Sequence, residues 1–587
     1  MIEIAAQIGR LVRHAPVENG EPRPVVSRLP PGCVPMTAPE LSLDSAAPVA
    51  TRSWSRRLYD GVVRTYLTAD LRSLAASRIV LAAVLLFDLI NRWKQLGLWY
   101  TNDGIVPNHT LLWRPAFDHV FSFFFMASYA HEAVLGFIVC ALAYMALLLG
   151  VRTKLAQVTS LVCMLSLHGR TLLWDNGGDV ALGLLCIWTT FLPTGRRWSV
   201  DAILARDRPP PSPALAVREP FAIEDGGQFA SLGIMAVTLQ LTLIYTFNVV
   251  HKQGLTWREG SVVYYVLHLD RLATWFAVWL RGWIPVGLAR ALTWGTMVIE
   301  GALPLLLVSP VAVKWCRRLA VVLVILLHGG FAACMNLGNF VPGMIAYTPI
   351  FVRGEDWDAL GRWWARGARR SPWPSRWDQP VASLVGRFAA ALSPGRFARV
   401  AEPGPMAAAL RRRLPLAREL TVVAFIIVAS NQLFDENAAA HGLIDHHNSP
   451  AMAAAVTYLD LFQGWSMFAP DAPMTDFNIV VDAVTVDGRH VDPFNEVANP
   501  RYPNPGLNLP PAMGTSWLFY GYENHLPSRP AYYQALREWI QRYPDRTGRP
   551  NDQVVSLKVL KVEDDSPPLG ERAPKNLRSA VLFSFPP

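Results

Sequence analysis

Glu132-Ala133-Val134-Leu135-Gly136-Phe137-Ile138-Val139-Cys140-Ala141-Leu142-Ala143-Tyr144-Met145-Ala146-Leu147-Leu148-Leu149-Gly150 carries no charge after its first residue. The run is apolar on every side rather than along one stripe, and about 20 such residues cross the hydrocarbon core of a bilayer as a helix. Eight further stretches share the character, near 74–92, 155–173, 179–194, 230–250, 284–308, 318–336, 338–352 and 419–434. Composition agrees: 52% of the 587 residues are apolar and 17% are charged, against roughly 25% charged in soluble domains. The mean hydropathy of +0.23 excludes a single soluble domain. The expectation is an all-α polytopic membrane bundle of about nine spans, with the aromatic run 116–128 lying in the membrane interface.

Basic residues suggest an orientation, because short cytoplasmic loops collect Lys and Arg. Clusters precede span one (Arg52, Arg56, Arg57, Arg64, Arg72) and follow span two (Arg152, Lys154), span four (Arg196, Arg197, Arg206, Arg208) and span six (Lys314, Arg317, Arg318). A last cluster fills 353–418. With nine spans all of them fall on one side. The chain then divides into a disordered cytoplasmic tail over 1–50, a transmembrane bundle over 51–352, a basic cytoplasmic loop over 353–418, a last span at 419–434 and an exterior domain over 435–587, on a periplasmic, extracellular or lumenal face. The 54 Lys and Arg against 45 Asp and Glu thus face anionic headgroups, so membrane lipids are the expected partner and nucleic acid is not.

Past residue 435 the chain turns rich in Pro, Asn and Asp. Asn478 to Val486 alternates towards Asp487-Gly488, and His490 and Val491 resume, as in a β-hairpin. Ala531 to Tyr543 has helical spacing, while Val554 to Val562 and Ala580 to Phe585 read as strands, so this domain is expected to be α+β. The six cysteines (Cys33, Cys140, Cys163, Cys186, Cys316, Cys334) are scattered and form no CxxC pair. That argues against a disulfide framework, structural zinc and thioredoxin-like chemistry.

Ionisable and amide groups in spans are costly, which makes each a functional candidate. Arg78 and Asp88 on span one are ten residues apart, so each requires a partner elsewhere, and helix packing is their expected role. After span three, His168-Gly169-Arg170 and then Trp174-Asp175-Asn176-Gly177-Gly178-Asp179 gather polar groups at the mouth of the bundle. Asn176 or Asp179 can cap the next helix, a role compatible with ligand contact. Span five ends in Asn248-Val249-Val250-His251-Lys252-Gln253-Gly254-Leu255-Thr256-Trp257-Arg258-Glu259-Gly260. Only seven of the 54 basic residues are Lys. Arg cannot act as a base, whereas a desolvated Lys amine can lose its proton near neutral pH. The plainer alternative is a snorkelling side chain, since Lys94, Lys154 and Lys314 also stand at span ends. Glu300 in span six and His328 in span seven could join Lys252 in one bundle. The spans contain no GxGxxG, P-loop, HExxH or GxSxG motif, and no metal ligands stand out.

The order of these landmarks resembles the horizontally transferred transmembrane (HTTM) domain family, the family of the vitamin K-dependent gamma-glutamyl carboxylases. The likeness runs from about Ser77 to Val491, omitting 353–418. It rests on Arg78 and Asp88, Leu149-Gly150, Trp174 with Asn176, Gly183-Leu184-Leu185, Phe191 and Trp198-Ser199-Val200-Asp201. Further along it rests on Lys252 with Trp257, Glu259 and Gly260, on Cys334-Met335-Asn336, Phe340 and Gly343-Met344, and on Gly464-Trp465-Ser466-Met467 with Asp487-Gly488-Arg489. The resemblance implies a quinone-linked enzyme that uses reduced vitamin K or a related quinone, with glutamate in a protein or peptide as substrate and carboxylation as the reaction. In that family the matching lysine deprotonates the reduced quinone, whose oxygenated form then takes a proton from the glutamate gamma carbon before carbon dioxide adds. Carried over by position, Lys252 is the base and Asn176 holds the hydroquinone oxygen, with Asp179, Trp257 and His328 completing the cofactor-binding set.

The chain departs from the family at the histidine after the paired asparagines, which falls on Gly177 or Gly178, and at the first asparagine, which is Asp175. The histidine beside Cys-Met-Asn is Ala333, with His328 the nearest substitute. The alternative reading is therefore a non-catalytic membrane protein that binds lipid or quinone or assists assembly. A transporter is disfavoured by the lack of an inverted repeat of broken helices.

Overall fold

A computed structural model of the chain describes residues 54–112, 120–171, 176–206, 219–221, 227–368, 405–437, 447–495, 497–498, 530–571 and 575–586. The expected tail over 1–50, Trp174, Asp175 and most of the basic loop lie outside the described residues. In chain order the helices that matter here are α1 (Leu71–Trp93), α2 (Ala130–Leu149), α3 (Thr153–Arg170), α4 (Gly177–Thr190), α5 (Leu232–His251), α6 (Val286–Val308), α7 (Val313–Cys334), α8 (Phe340–Ala346) and α9 (Pro405–Glu436). Among the described residues six helices are long and apolar enough to cross a membrane: α1, α2, α5, α6, α7 and Arg412–Glu436 within α9.

The third, fourth and eighth apolar stretches form helices of another kind. Helix α3 carries Lys154, Gln157, His168 and Arg170, α4 has 14 residues and α8 has 7. At 1.5 Å per residue α4 is about 21 Å long, short of a core of about 30 Å. Within the bundle α1 and α5 are central, with 61% and 56% of their apolar windows buried, against 22% for α6 and α9. The outer helices turn Leu135, Leu142, Val298, Leu305, Leu326 and Ile427 outward. Continuous apolar surface of that kind is at home against lipid tails.

Arg78 is fully buried and performs the packing role expected of it. Its guanidinium donates to the carbonyls of Leu147 (2.6 Å) and Leu148 (2.7 Å) in the last turn of α2 and of Trp198 (2.5 Å), so it joins the end of α2 to the segment before Ser199. The terminating residue, Gly150, has φ +69°. A Cβ there would press on Arg78 and Ser199.

At the end of the bundle where α1 begins, strands β1 (Thr68–Asp70) and β2 (Gln228–Ala230) pair antiparallel. A second sheet lies at the opposite end, built from β3 (Thr475–Thr485), β4 (His490–Asp492), β5 (Val497–Ala498), β6 (Val554–Asp565) and β7 (Lys575–Phe585) in the order β5-β4-β3-β6-β7. Its first hairpin turns through Gly488 at φ +78° and pairs Ala483 with Val491. Helix α10 (Pro530–Gln541) belongs to the same region. This region docks on the bundle through Arg271 with Asp476 (3.2 Å), Tyr264 Oη donating to Pro568 O (3.1 Å) and Arg542 donating to Asn102 O (3.3 Å).

Candidate functional site

Helix α5 stops at Lys252, whose φ of −80° and ψ of 63° leave the helical region. The turn that follows is held by the 465–472 loop. Asp471 accepts from Thr256 N (2.7 Å) and Thr256 Oγ1 (2.8 Å), and Trp257 Nε1 donates to Phe468 O (2.8 Å). His251 Nδ1 lies 2.9 Å from Trp465 O. Pinned in this way, Lys252 turns back into the bundle instead of snorkelling. Its Nζ donates to Glu300 Oε2 and sits 4.3 Å from the centroid of the Trp257 ring. Both partners of the ion pair are 3% exposed. Burial pulls the Lys252 ammonium below its ordinary pKa, while Glu300 acts in the opposite sense.

Asn248, one turn earlier on α5, donates Nδ2 to Glu300 Oε1 at 3.1 Å. Tyr245, on the same face, is hydrogen-bonded to His328 Nε2 of α7 at 2.9 Å, and the His328 ring packs on Phe340 with centroids 5.2 Å apart. The Phe340 backbone lies so close to Gly178 that a Cβ on Gly178 would overlap it. On the other side of the α4 N-terminus, a Cβ at Gly177 would be 3.5 Å from Met467 Sδ. The contacts close a circuit from Lys252 through Trp257, the 467–468 loop, the start of α4, Phe340, His328 and Tyr245 back to Asn248 and Glu300. Two buried polar atoms in it, Asn248 Oδ1 and His328 Nδ1, have no hydrogen-bond partner. Buried polar atoms are nearly always satisfied, so each of the two has room in its hydrogen-bonding capacity for a further partner.

Asn176 caps α4. Its Oδ1 accepts from Gly178 N (2.8 Å), and its Nδ2 donates to Asp179 Oδ2 (2.7 Å). Asp179 in turn belongs to a buried charge cluster. Arg92 Nε donates to Asp88 Oδ1 (2.8 Å), Arg92 Nη2 to Asp179 Oδ1 (3.3 Å), and Asn339 Nδ2 to both carboxylates (2.6 Å each). His168 Nε2 stands 3.2 Å from Asp88 Oδ2. The carboxylates of Asp88 and Asp179 with His168 are close enough together to hold a metal ion, but Arg92 already supplies the cation. The partner that Asp88 requires is thus Arg92, four residues along the same helix.

Lys252, Trp257, Asn176 and His328 therefore border one region, with Asp179 joined to it through Asn176. Sequence reasoning quoted Asn248 without giving it a role and passed over Tyr245, although 245, 248 and 252 recur at helical spacing on one face. Compared with family models, curated proteins and solved structures, the chain matches none of them.

Proposed function

We propose that the chain passes through a membrane nine times, with its N-terminus cytoplasmic and its C-terminal domain exterior, and that it is a quinone-dependent enzyme in which Lys252 is the base. Six passes are made on the long apolar helices and three on α3, α4 and the α8 segment, which are largely enclosed by the bundle and so need not match the full lipid thickness. Glutamate carboxylation on a protein or peptide is the reaction that the HTTM likeness implies. The orientation rests on the basic clusters at the bundle end opposite the C-terminal sheet. The observation that carries the chemical reading is the Lys252 ammonium, closed off from water between a carboxylate and an indole face, with Asn248, whose Oδ1 is buried without a partner, bonded to the same carboxylate.

That donor set fits reduced vitamin K or a related quinone: Asn248 Oδ1 can accept from one hydroxyl, and His328 Nδ1 can bond another oxygen. When bound, a reduced quinone supplies acidic hydroxyls and two-electron redox chemistry. The protein's own groups hold and move the proton. Transfer of the shared proton from Lys252 to Glu300 frees the amine lone pair, which can then accept a proton from a hydroxyl within reach. Trp257 and Phe340 keep water from the exchange. Asn176, committed to its cap, acts through the position of α4.

The test supplies vitamin K hydroquinone, labelled carbon dioxide and a glutamate peptide to the wild type and to Lys252→Ala. Incorporation of label by the wild type, reduced by about 100-fold or more in the variant, supports the reading. Equal label in both removes Lys252 from the mechanism, and quinone oxidation without label identifies an oxidase that does not carboxylate. The glycines at the family's histidine position favour a second reading, a non-catalytic quinone or lipid binder or an assembly protein. It predicts quinone retained on the purified protein with no turnover.

A further inference from the structure

Arg170, the last residue of α3, is 1% exposed, and its Nε, Nη1 and Nη2 are all buried without a hydrogen-bond partner. The other buried arginines are occupied. Arg78 holds three carbonyls, Arg92 holds Asp88 and Asp179, Arg271 pairs with Asp476 and Arg317 donates to Thr65 O. Among the described residues no carboxylate pairs with Arg170. The acids of the His168 cluster are directed elsewhere: Asp88 and Asp179 are engaged by Arg92 and Asn339, and Asp460 interacts with His168 and Asp179. Tyr100 is the titratable neighbour of Arg170, and its hydroxyl donates to Leu167 O. A guanidinium cannot shed its proton to escape burial. The C-terminal dipole of α3 offsets part of the charge but leaves the donors unsatisfied.

We propose that Arg170 is the receptor of an anionic ligand group, separate from the Lys252 site: a phosphate or carboxylate whose two oxygens are held by the planar fork of the guanidinium. Two-oxygen anions match that fork in shape as well as charge. Arg170 lies at the bundle end that carries the C-terminal sheet, the level of a lipid headgroup when the apolar helices are embedded. A phospholipid headgroup and a soluble oxyanion are therefore the two sources of the same chemistry.

The experiment follows the melting temperature of the full chain in detergent during titration with inorganic phosphate, with acetate and with phosphatidylglycerol in mixed micelles. The variants are Arg170→Met and Arg170→Gln, with Arg78→Met as a buried arginine of a different role. The expected result is a saturable rise of about 2 °C or more in the wild type that both Arg170 variants lose. A response confined to phosphatidylglycerol assigns the headgroup; a response to phosphate or acetate assigns a soluble anion. The proposal is overturned if no anion stabilises the wild type, or if either Arg170 variant responds as the wild type does.

Discussion

Lys252 at the end of α5 and Glu300 within α6 form an ion pair of which neither side chain is more than 3% exposed, and the Trp257 ring covers the ammonium at 4.3 Å. Removing both charges from water is costly, so the pair is stable only while each partner compensates the other. Glu300→Gln and Lys252→Met are each expected to lower stability by about 3–5 kcal/mol, because each strands the opposite charge. The double variant should lose less than the sum of the two. Thermal unfolding of the four proteins in one detergent checks this, and strict additivity would mean that the two groups do not interact.

The docking of the C-terminal sheet should depend on pH. Burial pushes the Asp476 carboxyl up to about 6, with Arg271 acting against it and Asp270 adding to it. Burial likewise pushes Asp460 up to about 6. An unfolded aspartate titrates near 3.8, so between roughly pH 4 and 6 the folded state binds more protons than the unfolded state, and stability falls as pH rises through that window. For Asp476 the effect is at most about 3 kcal/mol. Melting curves of the wild type and Asp476→Asn over this range should differ in slope, with the variant flatter.

How much of this was legible in the sequence depended on the range of the signal. Helix α2 was readable because it is apolar on every face, and the β3–β4 hairpin because strand alternation meets Asp487-Gly488. The length of an apolar run overestimated α4, which ends at Thr190 although the run continues past Pro193 into a turn. Asp88 and Arg92 stand at i,i+4, a spacing that pairs charges on any helix, yet Arg92, at the very end of the span, was not matched to Asp88. The link from Trp257 to Phe468 crosses 211 residues, and no periodicity reports a contact of that separation.

The cluster around Arg92 makes an opposite prediction about metal. With the guanidinium seated between Asp88 and Asp179, a divalent cation would meet like charge where it would bind. EDTA or added zinc is therefore expected to leave the melting temperature of the wild type unchanged. In Arg92→Met the two carboxylates and His168 lose that cation, and zinc should raise the melting temperature of this variant alone. A zinc response in the wild type would show that Arg92 leaves the cluster.

Gly177 and Gly178, the two positions on which the resemblance would place the carboxylase histidine, are not equivalent. A Cβ on Gly178 would overlap the Cα and N of Phe340, and backbone cannot yield as a flexible side chain can, so Gly178→Ala should separate α4 from α8 and cost more than 2 kcal/mol. At Gly177 an added Cβ would be 3.5 Å from Met467 Sδ and 3.9 Å from the Trp465 ring, ordinary contact distances, and this face belongs to the circuit that includes Lys252. Gly177→His is thus expected to fold with a melting temperature close to that of the wild type, whereas Gly178→His should not. If the loss of an imidazole at this point is what separates the chain from a carboxylase, Gly177→His should raise label incorporation in the carboxylation assay above the wild-type level, and pairing it with Lys252→Ala should abolish the gain. A Gly177→His protein that folds, binds quinone and incorporates no more label than the wild type would place the difference elsewhere, with Ala333 the next position to restore.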